Sequence, residues 1–160
     1  MDAGAETVVQ EFNRLAIGYF GLFADRSTER MAWLQQAEIA IAELYRAGLR
    51  LPNTEPSGRD APQMPTDDQQ RLMTEIVDTI GGDSIPYSFV FHPLQPRPEP
   101  VVGSLADDLV SIYHDLYEGS ALLADGGTVE DVIWTWRINF QIHWGRHALG
   151  ALQALNDMLR

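Results

Sequence analysis

The stretch from Val129 to Met158, VEDVIWTWRINFQIHWGRHALGALQALNDM, decides the fold. At about 100° per residue, Val129, Ile133, Trp136, Phe140, His143, His147, Ala151, Ala154 and Met158 share one helical face. The opposite side is also apolar, with Trp134, Ile138, Ile142, Leu149 and Leu152. A helix apolar on two sides is sandwiched inside a bundle or shared with a second subunit. Gly145 lies between the two histidines. An interior Gly costs about 1 kcal/mol relative to Ala, so the position predicts close approach of another backbone or a ligand.

Working outward, this helix opens at Thr128, and Glu130 and Asp131 suit its positive end. Gly126-Gly127 closes the helix before it. That fourth helix opens at Ser104, with Asp107 in the capping-box position. Its stripe is Leu105, Leu109, Ile112, Leu116 and Leu123. The short connection from Asp125 to Thr128 predicts antiparallel packing of the two. A first helix spans about residues 5 to 24, striped by Val8, Phe12, Leu15, Tyr19 and Phe23. A second runs from about Thr28 to Leu49, with Ser27 as its expected N-cap. Residues 52 to 65 hold four prolines and a glycine and form a loop. A third helix opens at Thr66, with Gln69 completing a capping box, and ends at Gly81-Gly82.

Tyr87-Ser88-Phe89-Val90-Phe91 has the composition of a short strand. Pro93, Pro96, Pro98 and Pro100 follow it, which favours an extended segment laid over the bundle. The expectation is an all-α, compact bundle of about five helices with a Pro-rich extended segment between the third and fourth. The whole chain, residues 1–160, forms one domain.

The net charge of −12 repels phosphate backbones and anionic lipid heads. Nucleic acid and membrane surfaces are therefore not expected partners. There is no Cys, which removes disulfides and thiolate chemistry. There is no Lys, which removes a Schiff base and a P-loop lysine. Met1 to Glu6 has no basic stretch before an apolar run, unlike a signal peptide, and the expected location is cytoplasmic. No Ser sits in a nucleophile elbow.

The fourth helix places Asp108 and Asp115 on the flank of its apolar stripe, while Asp107, His114 and Glu118 point toward water. Buried carboxylates need partners, and His143 and His147, four residues apart on the facing helix, are the nearest imidazoles. The candidate polar cluster is Asp108, Asp115, His143 and His147. Trp136 and Arg137 lie beside it: Trp136 for stacking, Arg137 for an anion or a structural ion pair. As metal ligands, His143 and His147 would be joined by one acid, Asp115 or else Asp108, since the two are about 10 Å apart along the axis and only one can share the ion. Trp144 stands where zinc proteases carry Glu. His114-Asp115 is a His-Asp dipeptide of the metal-phosphohydrolase type, without that family's other ligands.

Gly103-Ser104-Leu105-Ala106-Asp107-Asp108-Leu109, continuing to Ile112-Tyr113-His114-Asp115-Leu116, is one long motif. Trp134-Thr135-Trp136-Arg137, Phe140, His143-Trp144-Gly145 and His147-Ala148 make the other. With Leu44-Tyr45 and Leu51-Pro52, they resemble the bacterial family catalogued as domain of unknown function 5063, over nearly the whole chain. The resemblance implies a bacterial helical protein marked by the Asp-rich and His-Trp-Gly helices, and implies no reaction. Where that pattern reads Ala-Asp-Ile-Tyr, this chain has Val110-Ser111-Ile112-Tyr113. Three readings stand: a binding or interaction domain organised by the His/Asp cluster; a metal-assisted hydrolase using a divalent ion on His143, His147 and Asp115; and a dimerising scaffold joined through Trp134, Ile138, Ile142 and Leu149.

Overall fold

The protein is described by a computed structural model that covers residues 3–25, 27–82 and 84–160. Its elements are α1 (Ala3–Ala24), α2 (Arg30–Gly48), α3 (Thr66–Ile80), β1 (Pro86–Val90), β2 (Pro100–Ser104) and α4 (Leu105–Ala124). The last helical rod consists of α5 (Val129–Asn139), a π-helical turn (Phe140–Trp144) and α6 (Gly145–Leu159). The bundle of five helical rods is as expected. Among the described residues, no helix is long and apolar enough to cross a membrane.

Helix α4 runs through the middle and packs against α1, α3, α5 and α6. Its apolar stripe explains this: Leu105, Leu109, Ile112 and Leu116 are all fully buried. The rod after it returns antiparallel, so one face of α4 meets α5 and α6 in turn. Ser104 caps α4 by accepting from Asp107 N, and Thr128 caps α5 by accepting from Asp131 N. Two other starts differ from expectation. Glu29, not Ser27, caps α2, accepting from the amides of Met31 and Ala32. Ser27 instead donates its amide and hydroxyl to Asp25, in a local turn. At α3 the cap is Pro65, and Gln69 Nε2 donates to the Met64 carbonyl, leaving Thr66 inside the helix.

The loop before α3 is tied down by side chains. Ser57 donates its amide and hydroxyl to Asp131, Thr54 donates to the Glu130 carbonyl, and Arg59 pairs with Asp125. Asp131, expected only to favour the helix dipole, is thus the anchor of that loop, and its carboxyl is held below the usual range chiefly by the Ser57 amide.

The segment after α3 is extended and pairs with itself. Tyr87 sits opposite Gly103 and Phe89 opposite Val101 in an antiparallel ladder, with Pro93, Pro96 and Pro98 in the connection and Pro100 opening β2. Ile85 leads into it at φ 49°, a costly backbone state for a β-branched residue. Leu105 N donates to the Ile85 carbonyl at 3.0 Å and helps hold it there.

The rod from α5 to α6 does not run as one regular α-helix, because the π turn intervenes. Gly145 N donates to the carbonyls of Phe140 and His143. A Cβ on Gly145 would lie 2.5 Å from the Phe140 carbonyl oxygen. The close approach anticipated at Gly145 is therefore made by its own helix. Replacing Gly145 with Ala improves helix propensity by about 1 kcal/mol but forces a backbone clash of the overpacking kind, about 1–3 kcal/mol. We expect Gly145→Ala to lower stability in urea unfolding by up to about 2 kcal/mol, the clash less the propensity gain. A variant more stable than wild type would show that the turn imposes no such constraint.

Candidate functional site

Because α4 starts at Leu105, residues 108, 115 and 118 line its seam with the returning rod. Asp108 and Asp115 are each only 5% exposed. A carboxylate so placed must be satisfied by neighbours. His147 Nδ1 donates to Asp108 Oδ1 at 2.8 Å, and the Tyr87 hydroxyl donates to Asp108 Oδ2 at 2.6 Å. His143 Nδ1 donates to Asp115 Oδ2 at 2.7 Å, and His114 Nδ1 lies 3.5 Å from Asp115 Oδ1. Glu118 continues the series by accepting from Asn139 Nδ2 and Gln63 Nε2, both at 2.8 Å. Positions 108, 115 and 118 on α4 thus meet 147, 143 and 139, in the reversed order that antiparallel packing requires.

The structure brings Asp108, Asp115, His143 and His147 together as two separate pairs. His114 and Glu118, expected in water, are turned into the seam, with side chains 23% and 13% exposed. The His143 side chain is 49% exposed, against 24% for His147, so one ring stands at a mouth and the other deeper. Trp136 and Arg137 lie elsewhere. Trp136 is fully buried, donates Nε1 to the Leu116 carbonyl at 3.1 Å and occupies the space left by Gly119. Arg137 donates to the Asn53 side chain at 3.0 Å.

The two rings have centroids 4.7 Å apart. Among the described residues, neither ring's Nε2 has a hydrogen-bond partner. They line a cleft of about 510 Å³. Its polar floor is Asp107, Asp108, His143 and His147; its apolar wall is Phe89, Phe91 and Val102 from the hairpin, with Ile142 and Leu149 from the rod. Arg146 closes one side, with its guanidinium carbon 4.2 Å from the Phe91 ring centroid. Ile142 and Leu149, two positions expected to face a second subunit, therefore border this cleft. Ile138 is partly buried, and Trp134 is 38% exposed.

The metal trio of His143, His147 and Asp115 is not assembled. Among the described residues, ligand atoms come within 4.8 Å of one another at Asp107, Asp108 and His147. The acids are seven residues apart and the imidazoles four, about 10 Å and 6 Å along their helices, so each ring takes its own acid.

Sequence reasoning missed Tyr87, Gly150, Asn139 and Glu118. Gly150 was legible: it follows His147 by three residues on the same helical face. A Cβ there would fall on the Tyr87 hydroxyl. Asn139, four residues before His143, carried the same spacing signal. Tyr87 carried none, because only tertiary folding brings it to Asp108.

Residues 4–160 match the model of a family described as Domain of unknown function (DUF5063). A solved structure, protein BF1032 from Bacteroides fragilis, is similar, with a TM-score of 0.76 at 18% identity. The likeness covers 95% of each chain and bears on fold alone. No curated protein matches the chain.

Burial raises the pKa of Asp108, against the opposing hydrogen bonds from His147 and Tyr87. The His147 pKa is raised above its usual 6.5, chiefly by the hydrogen bond to Asp108. A histidine raised in this way contributes stability that is complete below about 6.5 and disappears as pH climbs through its folded value. Wild type should therefore lose more thermal stability between pH 6 and pH 9 than His147→Gln does. Parallel melting-temperature curves for the two proteins would refute the coupling.

Proposed function

We propose that this chain, which belongs to the DUF5063 family, is a small-molecule-binding domain whose ligand lies in the cleft between the hairpin and α6. One observation carries the reading. Both imidazoles are oriented by a buried carboxylate at Nδ1, which leaves Nε2 uncommitted on the floor of a cleft with an aromatic wall. Ligand sites are largely preformed and mostly apolar, with a few fixed polar groups, and 510 Å³ is within their range.

The cleft suits a ligand with an apolar body and a compact polar head. Phe89, Val102, Ile142 and Leu149 contact the body, and His143 and His147 meet the head. A neutral imidazole held at Nδ1–H offers Nε2 as an acceptor, and an imidazolium offers it as a donor. Asp115 and Asp108 also fix the ring planes, so little side-chain entropy remains to be lost on binding.

Ligand- and protein-observed NMR test this with three probes that share a phenyl ring: phenylpropanol, phenylpropionate and phenethylamine. At least one should bind with a dissociation constant on the order of 1 mM and shift the His143 and His147 ring resonances. Leu149→Glu, at a half-exposed wall position, should weaken that binding at least fivefold, as should Phe89→Ala. Three silent probes, or binding unchanged in both variants, would rule out the cleft as the ligand site.

A further inference from the structure

We propose that His143 and His147 together hold one divalent transition-metal ion through their Nε2 atoms, with Asp115 and Asp108 behind them as Nδ1 partners. The inference deepens the binding reading by naming one class of ligand at the cleft floor, and it rests on that cleft being open.

Histidines that bind metal almost always donate their second ring N–H to a carboxylate or carbonyl, which fixes the tautomer and raises ligand basicity. Both rings already have this arrangement, at 2.7 and 2.8 Å. The separation of the rings fits as well. With metal–nitrogen bonds of about 2.0–2.1 Å, two imidazoles on one ion have centroids roughly 4.5–5.2 Å apart. The observed separation is 4.7 Å. Imidazole nitrogen suits zinc, nickel, cobalt and copper rather than magnesium or calcium. The half-exposed His143 provides an approach, and the cleft leaves the other coordination positions to water or to a ligand head. A net charge of −12 raises the local concentration of cations.

The competing set is Asp107, Asp108 and His147, whose ligand atoms lie within 4.8 Å of one another. Both Asp108 oxygens are already engaged, one by Tyr87 and one by His147 Nδ1. An ion there shares Asp108 with these two donors, whereas the Nε2 atoms are uncommitted. This favours the imidazole pair.

The test uses the metal-free full chain with Co²⁺ followed by visible absorption and Zn²⁺ by calorimetry. One ion per chain is expected. His143→Gln and His147→Gln should each weaken binding at least tenfold, and Asp107→Asn should change it less than twofold. Asp115→Asn, the positioning residue of the more exposed ring, should weaken Zn²⁺ about tenfold or more while thermal unfolding without metal confirms a folded variant. No uptake of either ion at 100-fold excess over protein would overturn the proposal. So would loss of binding in Asp107→Asn with His143→Gln unaffected, which would locate the ion on the carboxylate side. The phenyl probes are titrated without metal, so failure here leaves that result standing.

Discussion

Two carboxylates buried in the seam of α4 constrain most of this structure. An unpaired ionised carboxylate in such a place costs several kcal/mol. Asp108 and Asp115 therefore admit only packings in which donors arrive opposite both of them. The returning rod supplies those donors in reverse order, His147 and then His143, and Asn139 follows opposite Glu118. Shifting that rod by one turn would leave at least one acid unsatisfied. Apolar contacts such as Phe12 on Trp136, with centroids 4.7 Å apart, supply the bulk attraction, but they tolerate sliding better than hydrogen bonds do. The polar ladder sets the register.

Much of this was legible because it is local. Ser104 and Thr128 cap the helices where an acceptor precedes an apolar run, and a connection of a few residues permits little besides antiparallel return. Asp108 and Asp115 were recognisable because a seven-residue spacing keeps both on one flank of a leucine stripe. Glu118 and His114 were misplaced for a physical reason: a wheel shows angles but not the width of the neighbouring rod. Gln63 and Asn139 come in from two sides and turn Glu118 into the seam. Tyr87 was invisible to sequence periodicity, since its partner is set by how the hairpin lies on the bundle. Ser27 and Thr66 were plausible caps that lost to Glu29 and Pro65, each a small local competition decided by a residue or two.

The π turn is the feature least accessible to a periodic reading. A wheel drawn at one constant angle carries Phe140, His143 and His147 on a single face, yet the backbone widens between Phe140 and Trp144. Wider turns of this kind concentrate at functional sites. Here the turn ends directly before Gly145 and contains the more exposed imidazole. It also has a cost. Trp144 is fully buried, and among the described residues its Nε1 is the buried side-chain polar atom without a hydrogen-bond partner. Leaving such a group unsatisfied costs about 1–3 kcal/mol. The ring is nonetheless held between Phe12 and Phe140, with centroids 6.4 and 4.8 Å away.

The cleft joins this rigid seam to a much weaker element. A two-stranded hairpin is marginal in water by itself, so the hairpin depends on its attachments. These include the Tyr87 hydroxyl on Asp108, the amides of Leu105 and Ala106 donating to Ile85 and Ser84, and Arg146 against Phe91. All are few and polar or partly exposed, whereas the imidazoles are anchored on buried carboxylates, Asp108 and Asp115, each 5% exposed. Local opening free energies follow that difference. The wall carrying Phe89 and Phe91 is therefore the part with the lower cost of local opening, and the imidazoles are the part held in place. Tyr87 belongs to both: its ring is in the wall and its hydroxyl is on Asp108, so displacement of the wall is felt directly at the acid that orients His147.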